Sequence, residues 1–224
     1  MWIIYLAIGI LIISALIVVL VLVSSKTKGE ELTKRDKEEI ELVGKVGEDY
    51  VVKYLSALAK KYNGYLFNSF CFQDYRGYST EIDHILITRG GFFVIETKTN
   101  KGTVYGRTED DKWVCKKKEY QDDKVFKNPI LQNQGHIRHL QRMWHKDAPD
   151  MISIIIFPIA NISHVKSDIV FDINGAIKYI KDKSEKAIYT QSRINKFSKK
   201  IIFIQKRFGI SKEQHIENIR KKYK

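Results

Sequence analysis

The chain reads as an α/β domain behind one N-terminal membrane-spanning helix, an expectation that rests on three observations. Residues 2–23 form an almost unbroken apolar run, with no Asp, Glu, Lys or Arg before Lys26, long enough to cross a bilayer as a helix. Farther on, Ile40, Val43, Val46, Tyr50, Val51, Tyr54, Leu55 and Leu58 follow helical spacing and predict a helix over about 34–62 with one buried stripe. Segments 66–72, 82–88 and 92–97 are rich in β-branched and aromatic residues and predict strands.

The apolar run carries no basic leader and is followed only by Val23-Ser24-Ser25, so a retained anchor is expected rather than a cleaved signal peptide. Lys26, Lys28, Lys34 and Arg35 follow it directly. This positive flank places the N-terminus outside and the rest of the chain in the cytoplasm. The expected layout is an anchor over 1–25, a linker over 26–38, a folded core over 39–157 and a basic, partly helical extension over 158–224.

The 224 residues carry a formal net charge of +13, and 44% of them are hydrophobic, enough for one sizeable core. The charge is concentrated at the C-terminal end. From Lys186 onward twelve Lys or Arg face only two acidic residues, Glu213 and Glu217. Such density favours polyanions, either nucleic acid phosphates or an anionic membrane leaflet. Cys71 and Cys115 are the only cysteines, too few for a disulfide framework and not spaced for zinc, so both are expected as packed thiols.

Other elements follow from local signals. Gly44 and Gly47 lie on or beside the stripe of the first helix, where close packing would compensate their poor helix propensity. Glu48 stands next to Gly47, near the side expected to face a sheet. Segments 102–107 and 112–117 predict two short strands joined by 108–111. Asn128-Pro129 predicts a helix start with Pro129 at its first position, carrying Ile130, Leu131, Ile137 and Leu140 on its apolar side and Gln132, His136 and His139 along its length. Residues 151–158 read as a buried strand, 173–180 as a helix, 187–189 as a short strand, and 211–223 as a basic amphipathic helix capped by Ser211.

The chemistry concentrates on the predicted hairpin. With Gly90-Gly91 as its turn, Arg89 faces Phe92, Leu86 faces Ile95 and Asp83 faces Lys98. Strand alternation then gathers Asp83, Glu96 and Lys98 on one face. A one-residue slip would separate them. Two carboxylates held close together can bind Mg²⁺, an ion that takes oxygen ligands and retains water. Lys98 would add a positive charge for orienting that water or stabilising a phosphoryl transition state. His84 points to the opposite face and reads as structural, and His136 with His139 lacks a third partner for zinc.

The order Asp83, twelve residues, Glu96-Thr97-Lys98 resembles the signature of the PD-(D/E)XK nuclease superfamily. Within it the chain is most similar to the nuclease-related domain, or NERD, family. The resemblance rests on Gly44-Lys45-Val46-Gly47-Glu48, Ile82-Asp83-His84-Ile85-Leu86-Ile87, Gly91-Phe92-Phe93-Val94-Ile95-Glu96-Thr97-Lys98, Gly102-Thr103-Val104-Tyr105-Gly106 and Asn128-Pro129-Ile130-Leu131-Gln132. It implies a restriction-endonuclease-like mixed sheet flanked by helices. It also implies roles: Asp83, Glu96 and Glu48 as metal-site acids for Mg²⁺, with Mn²⁺ as the alternative, Lys98 as catalytic lysine and Gln132 as the glutamine of the following helix.

The expectation is therefore a membrane-anchored, metal-dependent nuclease acting on nucleic acid, DNA ahead of RNA. The rival is a catalytically silent, membrane-tethered nucleic-acid-binding module. Contact of the basic tail with anionic lipid is a further expectation.

Overall fold

A computed structural model describes residues 46–117, 122–144 and 146–222. The expected anchor and linker lie outside the described residues, as does the first part of the first helix. Among the described residues no helix is long and apolar enough to cross a membrane.

Helix α1 covers residues 46–61 of the described chain. It is followed by β1 (Tyr65–Gln73), β2 (Ser79–Thr88), β3 (Gly91–Thr97), β4 (Thr103–Arg107), β5 (Lys112–Lys116), β6 (Lys124–Lys127), α2 (Pro129–Trp144), β7 (Met151–Ile156), β8 (Asn161–Lys166), β9 (Val170–Phe171), α3 (Ile173–Glu185), α4 (Gln191–Phe208) and α5 (Lys212–Lys222). Five strands form a sheet in the order β1-β2-β3-β7-β9, and four form a second in the order β6-β5-β4-β8. In the larger sheet β1, β2 and β3 are antiparallel, while β7 runs parallel to both β3 and β9. The expected mixed α/β architecture is present.

Both faces of this sheet are covered. On one, Ile85, Ile87, Phe92 and Val94 pack against Leu140 and Trp144 of α2 and against Ile194, Phe197, Ile201 and Ile204 of α4. On the other, Leu86, Phe93 and Ile95 meet Val51, Leu55 and Leu58 of α1 and Ile173 and Ile180 of α3. Burial on two sides explains why β3 is apolar at nearly every position instead of alternating, and why all seven of its residues are buried. Residues beyond 157 thus supply a large share of the packing.

Helix α4 escaped the sequence reading. Ile194, Phe197, Ile201 and Ile204 do repeat at helical spacing behind the N-cap Thr190, whose hydroxyl accepts from Arg193 N at 3.3 Å. Six Lys or Arg from Arg193 to Arg207 dilute that stripe. Residues 187–189, expected as a strand, are a connection between α3 and α4. Ala187 has a φ of +51°, and the segment reaches the sheet through one bond, Tyr189 N to Arg89 O at 2.9 Å.

The hairpin register also differs from the expected one. The turn residues are Arg89 and Gly90, and pairing begins at Thr88 with Gly91 and runs to His84 with Ile95. None of residues 89–91 has a positive φ, so the two glycines answer a different need. A Cβ on Gly90 would collide with backbone atoms of Lys183 and Ser184 at the end of α3, and one on Gly91 would lie 2.7 Å from Ile152 Cδ1. The glycines permit close approach rather than turn torsions. The difference is two residues, which leaves every side chain on its expected face. Continued by one position, the register sets Asp83 opposite Glu96 rather than Lys98.

Candidate active site

Three elements converge at one end of the β2–β3 hairpin. β2 contributes Asp83, the end of β3 contributes Glu96, Lys98 follows directly after that strand, and the first turn of α2 brings Gln132. Asp83 also faces an irregularity in β1: pairing passes from Asn68 with His84 to Phe70 with Ile82, and Ser69 between them has a φ of +46°. The Asp83 Oδ2 accepts a hydrogen bond from the backbone N–H of Thr97 at 2.8 Å, which fixes the carboxylate against β3.

Glu96, 2% exposed, is held by a closed triangle. Lys98 Nζ donates to Glu96 Oε1 at 2.6 Å and to Gln132 Oε1 at 3.0 Å, and Gln132 Nε2 donates to Glu96 Oε1 at 2.8 Å. Gln132 is placed by its helix start. Asn128, fully buried, accepts from Ile130 N at 2.9 Å through Oδ1. Its Nδ2 donates to Arg107 O, Thr108 O and Asp110 O at 3.3, 3.1 and 2.6 Å. One turn on, Asn133 Nδ2 donates to Val94 O at 2.8 Å and Ser153 Oγ at 2.9 Å. These bonds lock α2 to the sheet, which aims Gln132 at Glu96.

Glu48 approaches from α1. A Cβ on Gly47 would lie 2.5 Å from Thr99 Cγ2, so the glycine lets α1 come close to the end of β3, as the spacing of Gly44 and Gly47 led us to expect of both. Gly44 itself lies outside the described residues. Glu48 is half-buried and interacts electrostatically with Lys98, Glu81 and Lys212.

The charges in this cluster are poorly compensated. Burial, joined by the facing Glu96, raises the Asp83 carboxyl well above the usual carboxylate range, against the opposing pull of the Thr97 N–H and Lys98. Burial also raises Glu96, although the Lys98 ammonium opposes it. Glu48 is raised by burial, with Lys212 opposing and Glu81 adding to the rise. Three acids with raised values share a small region because desolvation and mutual repulsion outweigh the nearby lysines. Among the described residues no three His, Cys, Asp or Glu side chains are grouped closely enough to hold a metal by themselves.

His136, considered from the sequence only as a zinc ligand, belongs to this cluster. Its Nδ1 lies 3.6 Å from Glu96 Oε2, and both atoms are buried without a hydrogen-bond partner. Burial and the Lys98 charge push this imidazole down to about 4, so it is neutral near pH 7. Its position one turn beyond Gln132 on the same helix face was the available signal. His84 lies on the opposite face, as strand alternation predicts, between Asn68 Oδ1 at 2.9 Å and Thr97 Oγ1 at 3.2 Å.

Asp83, Gln132 and His136 line a cleft of about 990 Å³. Its walls are the β1–β2 loop, the end of β6, α2 and α5, and they carry Arg76, Lys127, Arg138, Arg142 and Lys221. Across the cluster, Lys212 of α5 pairs with Glu81 at 2.8 Å. A cleft with acids at the floor and cations along its walls concentrates a positive potential around a buried negative centre.

A mixed sheet with helices on both faces is the architecture of a nuclease-like α/β domain. The nuclease-related domain family matches residues 43–158, and the chain belongs to this family. It is also 33% identical over 125 residues to an uncharacterized protein of Bacillus anthracis, a match that covers 54% of this chain and 56% of the relative. The chain thus spans little more than half the length of that relative. No solved structure matches it.

Proposed function

We propose that the protein is a divalent-metal-dependent nuclease that hydrolyses phosphodiester bonds in the cleft. The observation that supports this most directly is the pairing of Asp83 and Glu96, two undercompensated carboxylates, beside a lysine held 2.6 Å from one of them. The donor set suits Mg²⁺ or Mn²⁺. One oxygen of Glu96 is tied to Lys98 and Gln132, while the other is buried and unpartnered. Mg²⁺ needs only one or two carboxylates when water and substrate phosphate complete its shell.

Asp83 and Glu96 would hold the ion, with Glu48 supplying a third negative charge from α1. When bound, such an ion supplies an acidified water and neutralises charge on the phosphoryl oxygens. Lys98 orients the attacking water and stabilises charge developing on the phosphate, and Gln132 keeps its ammonium aimed at the cluster. Arg76, Lys127, Arg138 and Arg142 hold the phosphate backbone. Residues 2–23 anchor the domain to a membrane, which holds it on the cytoplasmic side.

The test is a cleavage assay of the purified protein on labelled DNA and RNA with Mg²⁺ or Mn²⁺. Lys98→Ala and Asp83→Ala should each lower the rate by roughly 10²-fold or more, the scale for removing one charge-stabilising group. Equal rates in these variants would place the activity elsewhere. Salt-sensitive binding without turnover under either metal would favour the silent binding module.

A further inference from the structure

We infer that the β1–β2 loop, residues 74–78, is a stacking platform for an unpaired nucleobase and that the strand entering the cleft is single-stranded. This rests on the nuclease reading and specifies its substrate.

The loop is built to be stiff. Asp74, 6% exposed, accepts through Oδ1 from Arg76 N at 2.9 Å and Tyr78 N at 3.0 Å. Its backbone N–H donates to Tyr78 O at 2.9 Å, and Gly77 N donates to Asp74 O at 3.0 Å. Gln73 Nε2 donates to Gly77 O at 2.9 Å, and Gly77 takes a φ of +85° that a side chain would oppose. The Asp74 Oδ2 lies 3.2 Å from His139 Nε2 on α2, and the other ring nitrogen of His139 is bonded to Thr80 Oγ1. Both ends of the loop are thereby tied to the helix that carries Gln132.

This rigid frame displays Tyr75, 83% exposed and the most exposed large hydrophobic side chain among the described residues. Neither the hairpin nor the core requires a ring there, and a tyrosine left in water forgoes the burial that normally makes aromatic residues stabilising. Among the described residues its one ring contact is with the next residue. The Arg76 guanidinium lies 5.5 Å from the Tyr75 ring centroid and 5.6 Å from that of Tyr78, and its Nη2 lies 3.4 Å from Asp74 Oδ2, a cation–π arrangement braced by an ion pair that still leaves a planar, partly exposed cation at the lip for a phosphate.

Arg76 and Tyr78 line the cleft at this lip, Arg138, Arg142 and Lys221 line its other walls, and Asp83 lies within it. Rings for bases and cations for the backbone along a groove are how proteins grip single strands. A duplex offers no free base face except at its ends, so Tyr75 would have nothing to stack on along paired nucleic acid.

The test is fluorescence anisotropy with the Lys98→Ala protein, which slows cleavage, on labelled single-stranded DNA, single-stranded RNA and duplex DNA of one sequence. Adding Tyr75→Ala should weaken single-strand binding by roughly 5- to 150-fold, the range of base–aromatic stacking. Tyr75→Phe should restore it, and duplex binding should change less than about twofold on the same scale. An oligonucleotide without bases should bind the alanine and tyrosine forms equally. The relative affinities of the two single strands identify which nucleic acid the platform prefers. Unchanged single-strand affinity in Tyr75→Ala would overturn the platform, and equal losses on duplex and single strand would overturn the single-strand assignment. No binding of any nucleic acid by the Lys98→Ala protein would instead sink the nuclease reading.

Discussion

Asn128 joins the fold to the candidate site, and its replacement has a cost that the structure lets us work out. Asn128→Ala removes the Oδ1 cap of α2, worth about 0.5–2 kcal/mol. It also removes the donor shared by three carbonyls of the β4–β5 turn. Asp110 O, at 2.6 Å, is the tightest of them, and leaving this part-buried acceptor unpaired costs up to about 1–3 kcal/mol. With partial relaxation of the turn the loss should be about 2–4 kcal/mol, or roughly 4–16 °C in Tm for a domain of this size. Urea unfolding followed by the fluorescence of Trp113 and Trp144, 0% and 5% exposed, would measure it. Asn128→Asp separates the two parts, because it keeps the cap and loses the donation. A loss below about 0.5 kcal/mol in Asn128→Ala, within the scatter of ordinary surface substitutions, would show that neither the cap nor the turn depends on Asn128.

His84 is 2% exposed and burial lowers its pKa to about 4. The native state therefore holds it neutral while the unfolded chain takes up a proton near pH 6.5, so its contribution is complete above pH 6.5 and is lost as pH falls from there toward 4. The gap corresponds to about 3 kcal/mol, and His84→Asn should remove that share of the acid-side loss in urea unfolding at stepped pH. An identical slope in the variant would show that His84 does not titrate in this window and that the loss comes from the other histidines lowered by burial, His136, His139 and His215. Gly90→Ala should destabilise by about 1–3 kcal/mol because its Cβ meets backbone of α3 that cannot rotate away; an unchanged unfolding midpoint would show that α3 shifts freely.

The strands and the gathering of Asp83, Glu96 and Lys98 were legible because β-sheet periodicity has only two phases. An error of two residues in the turn therefore cost nothing at the level of faces. The turn itself was misread because Gly90 and Gly91 satisfy contacts with Lys183, Ser184 and Ile152, residues far away in the chain that no local pattern announces. Helix α4 was hidden for a different reason. Its outer face is dense in lysine but also exposes Ile202 and Phe203, each 52% exposed, so the apolar signal runs around the helix and its stripe loses contrast. Glu48 was only weakly marked by spacing, since its approach depends on the contact of Gly47 with Thr99. His136 was weighed as a zinc ligand and set aside, although its neighbour in space is Glu96, forty positions earlier.

The parallel pairing of β3 with β7 has a consequence for biosynthesis. β3 is buried throughout, yet its partner on one side begins at Met151, paired with Phe92, roughly sixty residues later. At translation rates of about 5–20 residues per second, the β2–β3 hairpin waits roughly 3–12 seconds with the edge of an almost wholly apolar strand unpaired. Such an edge is a template for any other extended chain. The nascent protein is most vulnerable to aggregation in that interval, and conditions that slow elongation between residues 97 and 151 should lower the soluble yield more than the same delay placed after β7.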